Sequence, residues 1–206
     1  MTKQSKSYFC LFPIKLQTTI LPTMDPKIKA RLQSKSGKTL YGYQKEAIEE
    51  MMGKFNDKST NFNLLFQLPT GGGKTVIFSE LAKRFILSTE KKVLILTHRI
   101  ELLGQTSKML SEIGVPNKVI NAKVKDLDDG KEHWCYVAMV ETLNNRINDE
   151  QMVFDNLGLV IVDEAHYNSF RKLFKHFREQ ILLGVTATPL SSNIKLPLND
   201  NYNELI

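Results

Sequence analysis

The sequence predicts an α/β domain with a doubly wound, mainly parallel β-sheet, and two observations lead to that prediction. Short apolar runs, typical of strands buried on both faces, alternate along the chain with stretches of helical periodicity. Polar clusters directly follow three of these runs, at residues 69–75, 163–166 and 186–188. Because the ligands of such sheets bind at the carboxyl ends of the strands, we expect the three clusters to meet in one site.

Helical and strand segments alternate in the order that such a sheet requires. The helix at 99–113 has a clear end, since Gly114 and Pro116 follow it. The strand at 159–162 consists of four apolar residues and runs directly into acidic ones. We expect strands at 64–66, 93–97, from Val119 onward, 133–139, 159–162 and 181–186, and helices at 26–33, 43–52, 74–88, 99–113, 140–147 and 169–178.

Composition places the chain among ordinary soluble globular proteins. With 206 residues, of which 42% are apolar and 24% charged, it can bury one full core. The net charge of +6 favours a polyanionic partner only weakly, because many proteins are equally basic without one. Cys10 and Cys135 lack the spacing of a metal site, which indicates a reducing, cytoplasmic compartment. No apolar run reaches the ~18 residues of a membrane span, so no membrane partner is expected.

The chain divides into three parts. Residues 1–36 form a basic, partly irregular leader in which Asp25 is the one acidic residue. This leader is either a nucleic-acid-binding arm or a solvated segment, and the second is favoured because its basic part has no interleaved aromatic side chains. Residues 37–190 form the main domain. Residues 191–206 are polar and irregular, and we expect them to begin a linker.

The stretch 68–75 is the chemical centre of the chain. It reads Leu-Pro-Thr-Gly-Gly-Gly-Lys-Thr and lies between an apolar strand and a helix. Successive glycines let backbone N–H groups converge on one anion, and the helix N-terminus adds the positive end of its dipole. Lys74 would then contact the terminal phosphates of a nucleotide, and the Thr75 hydroxyl would bind Mg²⁺. A glycine-rich turn without a ligand is the alternative, and a phosphate site could serve a kinase, a GTPase or a motor.

Asp163 and Glu164 directly follow the strand at 159–162. A carboxylate at the mouth of a buried strand beside a triphosphate can hold Mg²⁺, and a second carboxylate can accept a proton from the attacking water. The alternative is a surface turn, since acidic residues often end strands. His166 by itself would be an ordinary structural histidine, and we interpret it as a coupling residue and not as a metal ligand.

Three motifs in this order resemble the first RecA-like lobe of a superfamily 2 DEAH-box helicase: LPTGGGKT at 68–75, VDEAH at 162–166 and Thr-Ala-Thr at 186–188. They are most similar to those of the type III restriction-enzyme helicase subunit and related DNA translocases, and the resemblance extends over residues 40–189. It implies a RecA-like P-loop NTPase fold, ATP and Mg²⁺ as cofactors, and a nucleic acid as partner, with DNA favoured over RNA.

The resemblance also implies roles by position. Gln44 would read the adenine edge, while Tyr41 stands where relatives often have an arginine. Arg99 and Thr142 would contact nucleic acid, although Arg99 alone would be taken for a solvated residue at a helix start. The remaining implied roles are catalysis by Lys74, Asp163 and Glu164, nucleotide binding by Gln44, Thr70, Gly71, Gly72, Gly73, Lys74 and Thr75, metal binding by Thr75 and Asp163, and coupling of nucleotide state to nucleic-acid grip by His166, Thr186 and Thr188.

A motor of this family needs a second RecA-like lobe, whose arginine finger contributes about 10³–10⁵-fold in related NTPases. Nothing after Pro189 is long enough to supply one, so we expect that lobe in cis or in trans. Two functions remain open. The chain is the ATP-binding lobe of a nucleic-acid-dependent ATPase that translocates or unwinds, or it is an isolated ATP- or ADP-binding module with negligible hydrolysis. An unrelated P-loop ATPase is a third alternative.

Overall fold

The computed structural model describes residues 24–34, 39–57, 62–124, 127–148, 152–191, 193 and 197–206. Two short 3-10 helices lie at Asn168–Phe170 and Leu198–Asp200. The α-helices are α1 (Pro26–Ser34), α2 (Gly42–Asp57), α3 (Lys74–Thr89), α4 (Ile100–Glu112), α5 (Val140–Asn148) and α6 (Arg171–Phe174). The strands are β1 (Asn63–Gln67), β2 (Lys92–Thr97), β3 (Asn117–Ile120), β4 (Cys135–Met139), β5 (Leu157–Asp163), β6 (Ile181–Thr186) and β7 (Glu204–Leu205).

The strands form one sheet in the order β3-β4-β2-β5-β6-β1-β7, and each pairing within the described ranges is parallel. This confirms the predicted α/β class and the predicted parallel sheet. The strand β6 lies between β1 and β5, with Gln67 beside Thr186 and Asp163 beside Val185. The three strands therefore end at nearly the same level of one sheet edge.

The continuous apolar runs are explained by helices on both faces of the sheet. Along β5, Leu159 and Ile161 pack on the face covered by α2, α3 and α4. Val160 and Val162 point to the opposite face, where the α5 residue Leu143 and the α6 residue Leu173 lie. A strand whose two faces are both buried must be apolar at every position, and this arrangement is what makes the sheet doubly wound.

The helix α1 packs onto the domain through its apolar residues. Met24 and Leu32 are buried in the same cluster as α3, and the Lys29 ammonium lies 2.6 Å from a Glu90 carboxylate oxygen. The helix predicted at 26–33 is therefore confirmed, while residues 1–23 of the predicted leader lie outside the described residues. No helix within the described ranges is long and apolar enough to cross a membrane.

The helix predicted at 169–178 is too long. It is a 3-10 turn followed by the four residues of α6. Beyond α6 the chain continues as tight turns, in which the His176 and Phe177 amides donate to carbonyls three residues earlier. These turns bury Phe177 beside Leu173 and return the chain to β6 within a few residues, which a regular helix would not do.

The segment after residue 190 is also more ordered than its polar composition predicts. Residues 197–206 form a strap, made of a 3-10 turn and β7, that extends the sheet beyond β1. Tyr202 is 6% exposed, and its ring lies against Gly184 of β6. A Cβ on Gly184 would lie 2.5 Å from Cζ of that ring, so only glycine leaves room for it. The Arg171 guanidinium fastens the strap by an ion pair of 3.0 Å with Asp200.

Candidate functional site

The three polar clusters meet at the carboxyl edge of the sheet. The turn after β1 leads into α3, Asp163 is the last residue of β5, and Thr186 is the last residue of β6. Because β6 lies between the other two strands, Thr186 stands between the glycine-rich turn and the acidic pair. The site is thus assembled from three crossovers that are distant in sequence.

The glycine-rich turn has the backbone of an anion-binding loop. Gly71 and Gly73 have φ angles of 86° and 81°, in the left-handed region that side chains disfavour. The Gly72 amide donates to the Pro69 carbonyl at 3.0 Å, and Gly73 caps α3. The sixteen-residue α3 begins at Lys74, so its free N-terminal amides face the turn. Thr70 lies exposed on this turn, and Thr75 lies half-buried in the first turn of α3.

Gln44 of α2 covers this loop from the side. It is only 4% exposed, and its amide nitrogen donates to the Gly72 carbonyl at 3.4 Å. Its side-chain oxygen accepts from the Tyr41 backbone amide at 3.1 Å. A Cβ on Gly73 would lie 2.6 Å from the Gln44 nitrogen, a second reason why this position is glycine. The predicted contact of Gln44 with adenine stays a prediction.

Tyr43 belongs to the same site, although the sequence predicts no role for it. Its hydroxyl donates to the Gly72 carbonyl at 3.0 Å. Its ring stacks on that of Tyr41, with centroids 6.0 Å apart and planes inclined by 5°. Both rings are exposed, at 46% for Tyr43 and 69% for Tyr41. The available signal was that two tyrosines come just before Gln44, the implied adenine contact.

Lys74 and Glu164 form an ion pair across the site. The Lys74 ammonium lies 3.8 Å from a Glu164 carboxylate oxygen, with the two side chains 11% and 26% exposed. Glu164 has a φ of 53°, unusual for a residue with a side chain. This conformation turns the chain after β5 toward the glycine-rich loop. The turn is held against β6 by a hydrogen bond of 3.0 Å from the Ala165 amide to the Val185 carbonyl.

Asp163 is held in an unfavourable environment for a charge. Burial raises the pKa of its carboxyl to about 6, and the nearby Glu164 carboxylate adds to the rise. The charges of Lys74 and Arg99, and the Glu164 backbone amide that donates to Asp163, oppose the rise only in part. A buried carboxylate with excess negative charge beside it is a place where an added cation would be stabilised.

His166 joins the acidic turn to β6. Its Nδ1 lies 2.9 Å from the Thr186 hydroxyl and 3.4 Å from a Glu164 carboxylate oxygen. The Thr186 hydroxyl donates to the Thr188 carbonyl at 2.9 Å, and the Thr188 amide donates back to it at 3.1 Å. The three predicted coupling residues therefore form one hydrogen-bonded group next to Glu164. Their coupling role stays a prediction.

The two predicted nucleic-acid contacts lie at the same edge but further along the sheet. Arg99 is exposed and caps the N-terminus of α4, with its amide 3.4 Å from the Thr97 hydroxyl at the end of β2. Thr142 is partly buried in the first turn of α5, which follows β4. Since β4 pairs with β2, both residues border the edge that carries the acidic pair.

The metal ligands predicted at this site are all oxygen atoms. Within the described residues no group of three or more histidine, cysteine, aspartate or glutamate side chains could hold an ion. The predicted ligands are the Thr75 hydroxyl and the Asp163 carboxylate. Such a small set of hard donors fits Mg²⁺, which keeps several waters and takes its other ligands from phosphates. It does not fit a protein-enclosed transition-metal centre.

Comparison with known proteins gives a consistent family. A family model described as "Type III restriction enzyme, res subunit" matches residues 37–191. The protein named "Putative ATP-dependent helicase IRC3" of Saccharomyces cerevisiae is 31% identical over 174 residues, which cover 80% of this chain and 24% of that protein. The "ATP-dependent RNA helicase DHX58" of Mus musculus is 24% identical over 152 residues, which cover 62% of this chain and 22% of that protein.

Solved structures share the fold. The UvsW helicase from bacteriophage T4 superposes with a TM-score of 0.65 at 18% identity, covering 87% of this chain and 66% of that one. A nuclease-deletion mutant of the Type ISP restriction-modification enzyme LlaGI, in complex with a DNA substrate mimic, gives a TM-score of 0.64 at 18% identity. That match covers 82% of this chain and 19% of the enzyme.

The chain belongs to the type III restriction enzyme res subunit family. Its α/β domain is a helicase-family ATP-binding domain that corresponds to the N-terminal lobe of superfamily 2 helicases, and it has the RecA-like fold. The chain spans about a quarter of the length of the curated relatives named above.

Proposed function

We propose that this member of the res subunit family is the ATP-binding lobe of a DEAH-box, nucleic-acid-dependent ATPase that translocates on or unwinds DNA. The observation that supports this most is the ion pair of 3.8 Å between Lys74 and Glu164. It brings the lysine of the phosphate loop within reach of the candidate base, although the two residues come from separate crossovers. A surface turn at 163–166 would have no reason to face that loop.

Lys74 and Glu164 would separate when nucleotide binds. The terminal phosphates of ATP would replace Glu164 as the partner of the Lys74 ammonium, because a triphosphate carries more charge. Glu164 would then be free to orient the attacking water and accept its proton. The Thr75 hydroxyl and the Asp163 carboxylate would hold Mg²⁺, which supplies charge neutralisation of the transferred phosphoryl group.

Other residues of the site would contact the adenine of the nucleotide and the nucleic acid. Gln44 would form hydrogen bonds with the edge of the adenine, and the exposed Tyr41 ring would stack on the face of the adenine. Arg99 and Thr142 would contact the backbone of the nucleic acid, and His166, Thr186 and Thr188 would couple its binding to the nucleotide state. DNA is favoured over RNA because the family is that of a restriction enzyme and a structural neighbour was solved with a DNA substrate mimic.

A second RecA-like lobe, in cis or in trans, would complete the catalytic site. Residues 37–190 would form the first lobe, and residues 191–206 would begin the linker toward the second after the strap at 197–206 has added β7 to the sheet of the first lobe. Without that lobe the arginine finger is missing, and hydrolysis would fall by about 10³–10⁵-fold. The chain alone would then bind ATP or ADP and hydrolyse it negligibly. We propose a cytoplasmic location, because Cys10 and Cys135 lack the spacing of a metal site or a disulfide framework.

An ATPase assay tests the proposal. Turnover is measured for the chain alone and joined to a second lobe, with no nucleic acid, duplex DNA, single-stranded DNA or RNA. We expect stimulation by DNA, and its loss in Lys74→Ala and Glu164→Gln. Lys118→Ala is the matched control, because Lys118 is as buried as Lys74, at 12% against 11% exposed, but lies at the opposite end of the sheet. Two-lobe protein that no nucleic acid stimulates would contradict the proposal.

A further inference from the structure

Three aromatic rings connect the acidic turn to the start of α4. The Tyr167 ring lies between two histidines, with its centroid 4.2 Å from that of His166 and 4.1 Å from that of His98. The planes are inclined by 36° and 56°, respectively. These separations are van der Waals contacts between flat rings, so a movement of one ring must displace the next. In the sequence, Tyr167 directly follows the acidic motif and His98 lies beside the candidate nucleic-acid contact Arg99, but neither residue has a predicted role of its own.

One end of this stack is fixed to the nucleotide site. The His166 Nδ1 lies 2.9 Å from the Thr186 hydroxyl and 3.4 Å from the Glu164 carboxylate. The Tyr167 amide also donates to the Glu164 carbonyl at 3.1 Å, which closes the turn. A change in the position of Glu164 would therefore displace His166 and Tyr167.

The other end of the stack is fixed to the first candidate contact with nucleic acid. His98 lies between Thr97, the last residue of β2, and Arg99, the cap of α4. Phe170 contacts the His98 ring edge-on at 6.3 Å, and the His98 Nδ1 has no hydrogen-bond partner within the described residues. Burial and the neighbouring Arg99 charge lower the pKa of His98, which favours a neutral ring held by packing. Its position thus depends on Tyr167 and Phe170.

We infer that Tyr167 and His98 are positioning residues that transmit the nucleotide state from Glu164 and His166 to Arg99. The inference rests on the proposed function, because it needs nucleotide at one end of the stack and nucleic acid at the other. Replacing Glu164 by phosphate at Lys74 would shift the acidic turn. The ring contacts would pass that shift to the N-terminus of α4, where Arg99 meets the backbone. Packed rings suit this role because they switch between discrete arrangements.

A coupling free energy is the quantity that tests this inference. The Kd of a fluorescent, non-hydrolysable ATP analogue with Mg²⁺ is measured on the chain with and without a saturating single-stranded DNA oligonucleotide. The Kd of the labelled oligonucleotide is measured with and without the analogue. For each ligand, the ratio of its Kd without the other ligand to its Kd with the other ligand is the coupling factor. The factors obtained from the ATP analogue and from the oligonucleotide must be equal. Factors of about 5–150 are typical of coupled sites.

Four variants separate coupling from folding. Tyr167→Ala removes the central ring, Tyr167→Phe keeps it, and His98→Leu removes the ring nearest Arg99. Phe154→Ala is the control, because Phe154 is also a partly buried aromatic residue that contacts another ring, Tyr136, at a centroid distance of 5.3 Å at the far end of the sheet. Thermal unfolding of each variant identifies any that fail to fold, and His98→Leu serves if Tyr167→Ala does not.

We expect the coupling factor to fall toward one in Tyr167→Ala and in His98→Leu, and to stay at the wild-type value in Tyr167→Phe and Phe154→Ala. The double variant Tyr167→Ala/His98→Leu is expected to lose no more of the coupling than either single variant, because both residues belong to the same series of ring contacts. Wild-type coupling in a folded Tyr167→Ala would overturn the inference, as would a wild type that binds both ligands independently. A wild type that binds neither ligand would instead refute the proposed function.

Discussion

The two ends of the sheet present similar side chains in different circumstances. At the amino end, Lys118 of β3 lies 3.1 Å from Asp129, and the His133 ring nitrogen lies 2.9 Å from the same carboxylate. These partners lower the pKa of Asp129 to about 2, with the hydrogen bond from His133 as the largest cause. At the carboxyl end, Lys74 is equally buried but lies 3.8 Å from its partner Glu164. There burial raises the pKa of Asp163 to about 6.

The two ends differ in how well their buried charges are compensated by neighbouring groups. At the amino end Lys118 and Asp129 have close partners, and the aspartate is more stable ionised than in water. At the carboxyl end a buried carboxylate is less stable ionised than in water, and Glu164 adopts a disfavoured backbone conformation with φ of 53°. Raised carboxyl pKa values and disfavoured backbone conformations are typical of sites that bind a ligand. We therefore expect the two ends to respond differently to the same substitution.

The largest effect is expected from Trp134 at the amino end. It is 2% exposed, and its indole N–H donates to Glu132 at 2.8 Å. Trp134→Ala should lower the free energy of unfolding by about 3–5 kcal/mol, because it leaves a cavity in the core. Urea unfolding followed by circular dichroism measures the loss. The nucleotide Kd of the folded fraction should stay unchanged, and a weakened Kd would show that the two ends are not independent.

The next effect concerns nucleotide binding. Lys74→Ala should weaken the affinity for a fluorescent ATP analogue by roughly 10–150-fold, since a charged hydrogen bond to phosphate contributes about 1.5–3 kcal/mol. Fluorescence anisotropy measures the Kd. Lys118→Ala, which removes a lysine of equal burial, should leave the Kd unchanged and reduce stability instead. Equal losses of affinity in both variants would remove the distinction between the two ends.

A smaller effect of opposite sign is expected from Asp163→Asn. The folded pKa of about 6 lies above the ordinary value of an aspartate, so the folded state holds this proton more tightly than the unfolded chain. Ionisation then costs stability, which falls as the pH rises from about 4 to 6. Asp163→Asn removes that cost and should raise the free energy of unfolding at pH 7 by about 1–3 kcal/mol in EDTA. The same variant should bind Mg²⁺-nucleotide less tightly than the wild type.

The smallest effect is expected from Asp129→Asn. Because the folded pKa of Asp129 is depressed to about 2, its carboxylate stabilises the fold above its ordinary pKa near 4, and that contribution disappears as the pH falls toward 2. Asp129→Asn should therefore be slightly less stable than the wild type at pH 7 and equally stable near pH 2. Acid titrations of unfolding measure the difference. A variant that is more stable at pH 7 would contradict the assignment of Asp129 to a structural cluster.

The sequence predicted most of the sheet because its strands are buried on both faces. Val93 to Leu96 and Leu159 to Val162 are apolar at every position, and such runs have few alternatives once helical stretches separate them. The strap at 197–206 could not be predicted in this way. Its buried residues Leu198 and Tyr202 are isolated in polar sequence, and the Tyr202 ring has room because Gly184 of a distant strand carries no side chain.

The candidate site was predictable where a motif fixes the local backbone. The loop residues Gly71, Gly73 and Lys74 and the pair Asp163-Glu164 lie where the strand order places them, although their roles stay predictions. The contacts of Tyr43 with Gly72, and of Tyr167 with His98, depend on which crossovers become neighbours. No local pattern predicts these contacts, because the two residues of each contact belong to different segments of the chain.

The close approach of Tyr202 to Gly184 has an evolutionary consequence. A methyl group at 184 would occupy the position of the ring, so neither residue can be exchanged alone without a clash or a cavity. Relatives that have a larger residue at the position of Gly184 should have a smaller one at the position of Tyr202. The two positions should therefore vary together in an alignment of the family. Gly184 lies two residues before Thr186, so such a paired exchange would also be a natural route by which selection adjusts the nucleotide site from outside it.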